Sequence, residues 1–295
     1  MVNTHIVSQE FAYHEPRSLA EAVSLLQSHG FSARVLAGGT DLLVQMKLGK
    51  VQPQHLVYIC KISELRFLAE SEGLRLGPLV LHRDLEKSPV VREKFTALFE
   101  AARSVTSVQI RNMGTLGGNL CHASPAADSA PALIALGAQI KIAGSAGVRM
   151  LPLEDFFIGP GKTDLKPGEL LAEIQVPDPG PASGSAFLKL TRVAADLAKV
   201  NAAAFIQREN EVCRECRIAS GSVAPTPVHL KQAEAVLRGK RFDEDLCRLA
   251  GEKAAEEIQP ITDIRSTAWY RREVIKVLVR DVLQQAWVRA GRAQQ

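Results

Sequence analysis

At 295 residues, 46% hydrophobic and 23% charged, the chain has the make-up of an ordinary globular protein of two, at most three, compact units. A net charge of +4 with only 5% aromatic residues argues against a nucleic-acid surface, which needs a basic patch interleaved with stacking rings. No apolar run approaches the roughly 18 residues of a membrane span, and Met1 to Glu15 lacks the apolar core of a signal peptide. A cytoplasmic chain is expected. The five scattered cysteines fit a reducing compartment with free thiols.

In chain order, Ser18 and Glu21 form a capping box for a helix that Gly30 ends, with Ala20, Val23, Leu25 and Leu26 on its apolar face. Arg34-Val35-Leu36 reads as a short buried strand entering Ala37-Gly38-Gly39-Thr40-Asp41, and a helix from Leu42 to Leu48 follows. His55–Ile59 and Leu74–Leu76 are further strands, and Pro89 to about Val105 is helical in pattern. Gln109 to Asp128, with Gly114, Gly117 and Gly118, reads as loop-rich between apolar flanks, and Pro131 to Leu136 resumes a helix. Gln139–Ala143 and Val148–Leu151 form a hairpin across Gly144–Gly147, and Glu169–Val176 is another strand. Pro177–Gly184 is the richest Pro/Gly/Ser stretch and reads as a linker. Beyond it come strands at Ala186–Leu190, Asn201–Gln207 and Val212–Ser220, then helices at Leu230–Leu237, Glu244–Ile258 and Tyr270–Ala290. Strands followed by helices argue for an α+β unit. The expected division is residues 1–177, with subdomains of about 1–58 and 59–177, and residues 185–292.

A strand that turns through Gly-Gly into a helix is a phosphate cradle. Without Cβ atoms the backbone approaches an anion closely, and the helix start offers free N–H groups with partial positive charge. Thr40 adds a hydroxyl donor, whereas Asp41, itself anionic, is expected to cap the helix. The Walker and Rossmann patterns are both absent here. Taken alone, Gly38-Gly39 is equally a ligand-free turn. Arg111-Asn112-Met113-Gly114-Thr115-Leu116-Gly117-Gly118-Asn119 again combines glycines with small donors, and neither segment has a lysine at its glycine-rich centre. Two such segments suit a long dinucleotide held between subdomains.

These two motifs, followed by Ala123-Ser124-Pro125-Ala126-Ala127-Asp128, resemble the FAD-binding medium subunit of the xanthine dehydrogenase and carbon monoxide dehydrogenase (molybdenum hydroxylase) family. Phe157–Gly161, Phe187-Leu188-Lys189, Gly221–Pro227 and Asp263–Arg265 to Tyr270–Arg272 extend the likeness, in order, over nearly the whole chain. Leu116 departs slightly, standing where the family has isoleucine. The resemblance implies a two-subdomain FAD-binding region of the vanillyl-alcohol-oxidase (PCMH) type, then an α+β C-terminal domain of the carbon monoxide dehydrogenase flavoprotein type. It implies that Leu36, Ala37, Gly38, Gly39, Thr40 and Asp41, with Gly114, Thr115, Gly117, Gly118 and Asn119, hold the pyrophosphate and flanking groups. Asp128 would reach a ribose or nearby polar group, and Leu171 and Lys189 would lie near the isoalloxazine. A cation there favours the anionic reduced flavin.

The implied partners are a molybdopterin-binding large subunit and a small subunit with 2Fe-2S clusters. Electrons would pass through FAD to NAD or another acceptor. A free-standing FAD oxidoreductase acting on a small molecule is the alternative reading, and a scaffold that has lost FAD is a third. No catalytic residue is assigned, because the flavin carries the chemistry. No metal is expected either: Cys213 and Cys216 lie in a strand-like stretch whose spacing sends them to opposite faces, and the extra iron–sulfur insertion of some relatives has no room. His82 is read as a capping or surface residue, His122 as a neighbour of the second segment without a chemical role, and Cys121 as a small buried filler. Arg271, Arg272, Lys276 and Arg280 are expected to form a solvated basic helix face.

Overall fold

The computed structural model describes residues 6–7 and 9–292. The chain begins with β1 (Ala12–His14), α1 (Leu19–His29), β2 (Ala33–Leu36), α2 (Leu42–Lys47) and β3 (His55–Tyr58). The three strands form a parallel sheet in the order β1-β3-β2. Ser18 Oγ accepts from the Glu21 N–H, while the Glu21 carboxylate reaches back to the Arg17 N–H at 2.8 Å, so the helix start is closed from both sides. Ala22, Val23 and Leu26 of α1 pack on Val57, Ile59 and Ile62, and Gly30 leaves the helix at φ +52°.

A second region holds β4 (Leu68–Glu70), β5 (Gly73–Leu76), α3 (His82–Lys87), α4 (Pro89–Lys94), α5 (Thr96–Ser104), α6 (Val108–Arg111), α7 (Leu116–His122) and α8 (Ser129–Ala135). It continues through β6 (Gln139–Gly144), β7 (Gly147–Pro152), the small hairpin β8 (Phe157–Gly159) and β9 (Lys162–Thr163), and β10 (Leu170–Pro177). Its antiparallel sheet runs β4-β5-β10-β6-β7. Leu74, Leu76, Ile140, Ile142 and Ile174 of that sheet share a core with Phe95, Leu98, Leu120 and Leu133 of the helices.

The last region is an antiparallel sheet, β11 (Ser183–Leu190), β12 (Val200–Glu209), β13 (Val212–Gly221) and β14 (Val228–His229), backed by α9 (Lys231–Leu237), α10 (Glu244–Glu257) and α11 (Ala268–Arg292). Residues Val200 to Ile206 are buried without a break, because both faces of β12 are covered. Ala202, Ala204 and Ile206 face α10 and α11, whereas Ala203 and Phe205, with Phe187 and Ala219, join the core of the preceding region. Alternation along the strand thus assigns each residue to one of two cores.

Several expectations change. The helix read over Pro89–Val105 breaks at Phe95, which is fully buried and whose φ −121° and ψ +50° lie outside the helical region. The loop-rich stretch Gln109 to Asp128 is half helical, with Gly117 and Gly118 inside the first turn of α7. β1, β4, β8, β9 and β14 are too short for pattern to announce. Cys213 and Cys216 do not point to opposite faces: the register slips between Gln207↔Glu215 and Arg208↔Cys213, leaving Arg214 as a bulge. One extra residue restores parity, so both thiols enter the same core at 0% exposure. Arg271 is likewise not on a solvated face. It is buried, with Nη1 donating to the carbonyls of Lys199 and Ser222 and Nη2 to Asp263 at 2.8 Å.

Candidate functional site

β2 delivers the first glycine segment at the end of the parallel sheet. Gly39 sits at φ +71°, a conformation that side chains resist, and this lets the chain reverse directly into α2. The Leu43 N–H already bonds to the Gly39 carbonyl, so the helix is entered at the glycines. Among the described residues, no acceptor is bonded to the N–H groups of Gly38, Gly39, Thr40 or Asp41. Four consecutive amides are therefore open to an anion. Asp41 does not cap α2 as expected, since its backbone is already helical and its side chain accepts no capping bond. Its carboxylate instead lies 3.6 Å from His122 Nε2, at the end of α7.

The second segment is built against Pro78–His82. The Leu116 N–H donates to Val80 O and the Gly117 N–H to Pro78 O, and the His82 N–H donates to Gly114 O at 3.2 Å. Thr115 caps α7, its Oγ1 accepting from the Gly118 N–H at 3.0 Å. A Cβ on Gly117 would stand 2.4 Å from Pro78 Cβ, so glycine is needed there for packing. Asn119 Oδ1 accepts from Ser129 Oγ at 2.5 Å, tying α7 to α8. Arg111, buried at the end of α6, is held by Glu86 at 2.9 Å and by the carbonyls of Val105 and Thr106.

The two segments touch. A Cβ on Gly38 would lie 1.9 Å from the Met113 carbonyl oxygen, and one on Gly114 would lie 3.6 Å from Thr40 Oγ1. Residues 76 positions apart in sequence thus form one backbone-lined surface. A cavity of about 710 Å³ between α1 and the β6–β7 turn, lined by Ser18, Val23, Gln27 and Val148, contains none of them.

Asp128, Leu171 and Lys189 are differently disposed. Lys189 Nζ, from β11, donates to Asp128 Oδ2 at 2.7 Å and to Ser104 O at 3.1 Å, and Asn201 Nδ2 donates to Asp128 Oδ1 at 2.9 Å. Both charged side chains are buried, at 6% and 7% exposure. Burial pushes the Asp128 carboxyl up, against the pull of the Lys189 ammonium and the hydrogen bonds. The pair bridges the helical region to the C-terminal sheet. Leu171 has its side chain in the core at 1% exposure and sits beside a slip in register, where Ala172 has no partner on β6.

Other nearby groups escaped the sequence reading. His82 is not at the surface: it is 2% exposed, and burial, with the Arg111 charge, lowers its pKa to about 4. Its Nδ1 has no hydrogen-bond partner among the described residues. Asn201 was missed although it carried a signal, being the lone amide in the apolar run Val200–Ile206. Burial pushes the Cys121 thiol to about 12, which removes it as a redox thiolate at neutral pH. The site therefore offers donors, a cradle and a buried ion pair. Within it, no nucleophile is activated by a base.

Residues 9–179 match the family model described as the FAD binding domain in molybdopterin dehydrogenase, and residues 185–286 match the CO dehydrogenase flavoprotein C-terminal domain. The carbon monoxide dehydrogenase medium chain of Hydrogenophaga pseudoflava is 35% identical over 287 residues, covering 97% of this chain and 100% of the relative. A putative xanthine dehydrogenase FAD-binding subunit of Escherichia coli is 33% identical over 284 residues, covering 95% of this chain and 97% of the relative. In solved structures, the carbon monoxide dehydrogenase from Hydrogenophaga pseudoflava that lacks the Mo-pyranopterin moiety superposes with a TM-score of 0.92 at 36% identity, over 95% of this chain and 98% of that one.

Proposed function

The chain belongs to the FAD-binding medium-subunit family of molybdopterin dehydrogenases, and from that premise we propose that it is the flavin relay of a heteromeric molybdenum hydroxylase. Partner chains would carry a molybdopterin centre, where substrate is oxidised, and 2Fe-2S clusters that pass electrons to the FAD held here. NAD or another acceptor would take them onward. FAD, when bound, supplies the exchange between single and paired electrons.

The observation that carries the cofactor reading is the contact between the two glycine segments beneath four open amides. Gly38 packs directly on the Met113 carbonyl, which brings the two segments together, and four unpaired N–H donors beside that contact fit a pyrophosphate. In this reading Leu36 and Ala37 lead the chain in, Gly38, Gly39, Thr40 and Asp41 present their N–H groups, and the Thr40 hydroxyl adds a donor. Gly114, Thr115, Gly117, Gly118 and Asn119 close the other side. Leu171 contributes main-chain groups at its bulge, since its side chain is in the core. Asp128 and Lys189 set the electrostatics of that face as a pair, with Lys189 biasing a nearby flavin toward its anionic reduced form.

The test is to refold the purified chain with FAD and measure flavin bound per chain, then to co-purify the native assembly and assay molybdenum and iron. One flavin per chain, with molybdenum and iron travelling in the complex, is expected. A refolded chain that retains no flavin would overturn the cofactor assignment. Substrate turnover by the isolated chain would overturn the relay role. Among the described residues no helix is long and apolar enough to cross a membrane.

A further inference from the structure

Away from the glycine segments, three histidines converge beside the parallel sheet. His14 is the last residue of β1, His29 the last of α1 and His55 the first of β3. His14 Nε2 and His55 Nδ1 are 3.1 Å apart, the His29 and His55 rings stack with centroids 3.7 Å apart, and one ring nitrogen from each residue lies within 4.8 Å of the others. All three are half-buried. Among the described residues none forms an ion pair with a carboxylate, unlike His122 and His229.

Three imidazoles crowded together without an acid repel one another if protonated. Neutral imidazole is the commonest protein metal ligand, and an ion between His14 and His55 would take the place of the hydrogen bond they share. The 3.1 Å separation is close to the roughly 3.3 Å between two nitrogens sharing a tetrahedral ion at zinc–nitrogen distances of about 2.0–2.1 Å. His29 is stacked on His55 with 16° between the ring planes, so its ring turns out of the stack to aim its in-plane lone pair at the third corner. Solvent reaches these half-exposed rings and can fill the remaining position.

We propose that His14, His29 and His55 form a three-imidazole site for a divalent, borderline-soft transition metal ion of the zinc class. Nitrogen-only donors favour such ions over magnesium or calcium, which prefer oxygen. The site clasps β1, the end of α1 and β3, elements that otherwise meet through strand pairing and helix packing. It thereby braces the sheet that delivers Gly38-Gly39. The ion acts structurally and takes no part in electron transfer.

The experiment uses the full chain loaded with FAD and stripped of metal by a chelator. Zinc chloride is titrated by calorimetry at neutral pH, and thermal unfolding is followed with and without zinc. One zinc per chain and a raised melting temperature are expected. In H29Q and in H14Q/H55Q the affinity should fall on the order of 100-fold, with flavin content unchanged. Anomalous diffraction from zinc-soaked crystals should place the ion among the three rings. The proposal falls if zinc does not bind saturably, if the variants bind as wild type does, or if the ion sits elsewhere, for example beside Cys213 and Cys216. Should a variant fail to fold, the diffraction result on wild type decides alone.

Discussion

Gly38→Ala tests the cofactor cradle most directly. The new methyl would stand 1.9 Å from the Met113 carbonyl oxygen, so the two glycine segments must part by at least 1.1 Å to reach even 3.0 Å. The atom opposing the methyl is backbone, which cannot swing aside as a flexible side chain would. The free protein relieves the clash by opening the segments, and binding FAD requires them to close again. Overpacking of this kind costs about 1–3 kcal/mol, which corresponds to FAD binding roughly 5- to 150-fold weaker. The control is Gly159→Ala, whose methyl would meet only the Lys162 side chain, at 4.0 Å. FAD affinity is read by quenching of flavin fluorescence and by flavin retained through gel filtration. If G38A holds FAD within about twofold of wild type, the close approach of the two segments is not part of the binding site and the reasoning fails.

Lys189→Met strands the Asp128 carboxylate in the interior, at 7% side-chain exposure. Breaking a buried pair this way should cost about 3–5 kcal/mol in urea unfolding, with much of it recovered in the D128N/K189M double variant. His82 has its folded pKa at about 4, below the unfolded value of about 6.5, so the unfolded chain takes up its proton first as pH falls. Stability should drop by about 3 kcal/mol between about pH 6.5 and pH 4 on account of this residue, and H82Q should flatten that part of the curve. Cys213, Cys216 and Cys247 are fully buried, so a native thiol titration at about pH 8 should leave all three silent until denaturant is added. Fast labelling of Cys213 or Cys216 would contradict the bulged register of β13.

Much of this was legible in residue order because the relevant signals are local. Ser18 and Glu21 announce α1, an unbroken apolar run marks β12, alternation marks β13, and the glycine pair after β2 announces the turn into α2. What escaped depends on partners distant in sequence. The bulge at Arg214 is a property of pairing with β12, and it reverses the side taken by every residue before it. His82 reads as a helix start, yet its burial comes from elements packed around it, including the segment at Gly114. Asp41 stands where a cap belongs, but the helix is already entered at Gly39. Arg271 sits in a basic run and is drawn inward by Asp263 and two carbonyls. The ion pair of Asp128 and Lys189 joins residues sixty-one positions apart, a distance over which no pattern speaks.

The two-sided burial of β12 bears on how this chain can be cut and recombined. The link at residues 178–182 invites separation into halves. A fragment ending there would leave bare the surface that Phe187, Ala203, Phe205 and Ala219 normally cover. The complementary fragment would expose those side chains as a flat apolar sheet face, a template for aggregation. Chimeras between relatives face the same constraint. A C-terminal half brought from another family member must fit two interiors at once, so successful exchanges will be those that carry the matching residues of α5 and α8 along with β11 and β12.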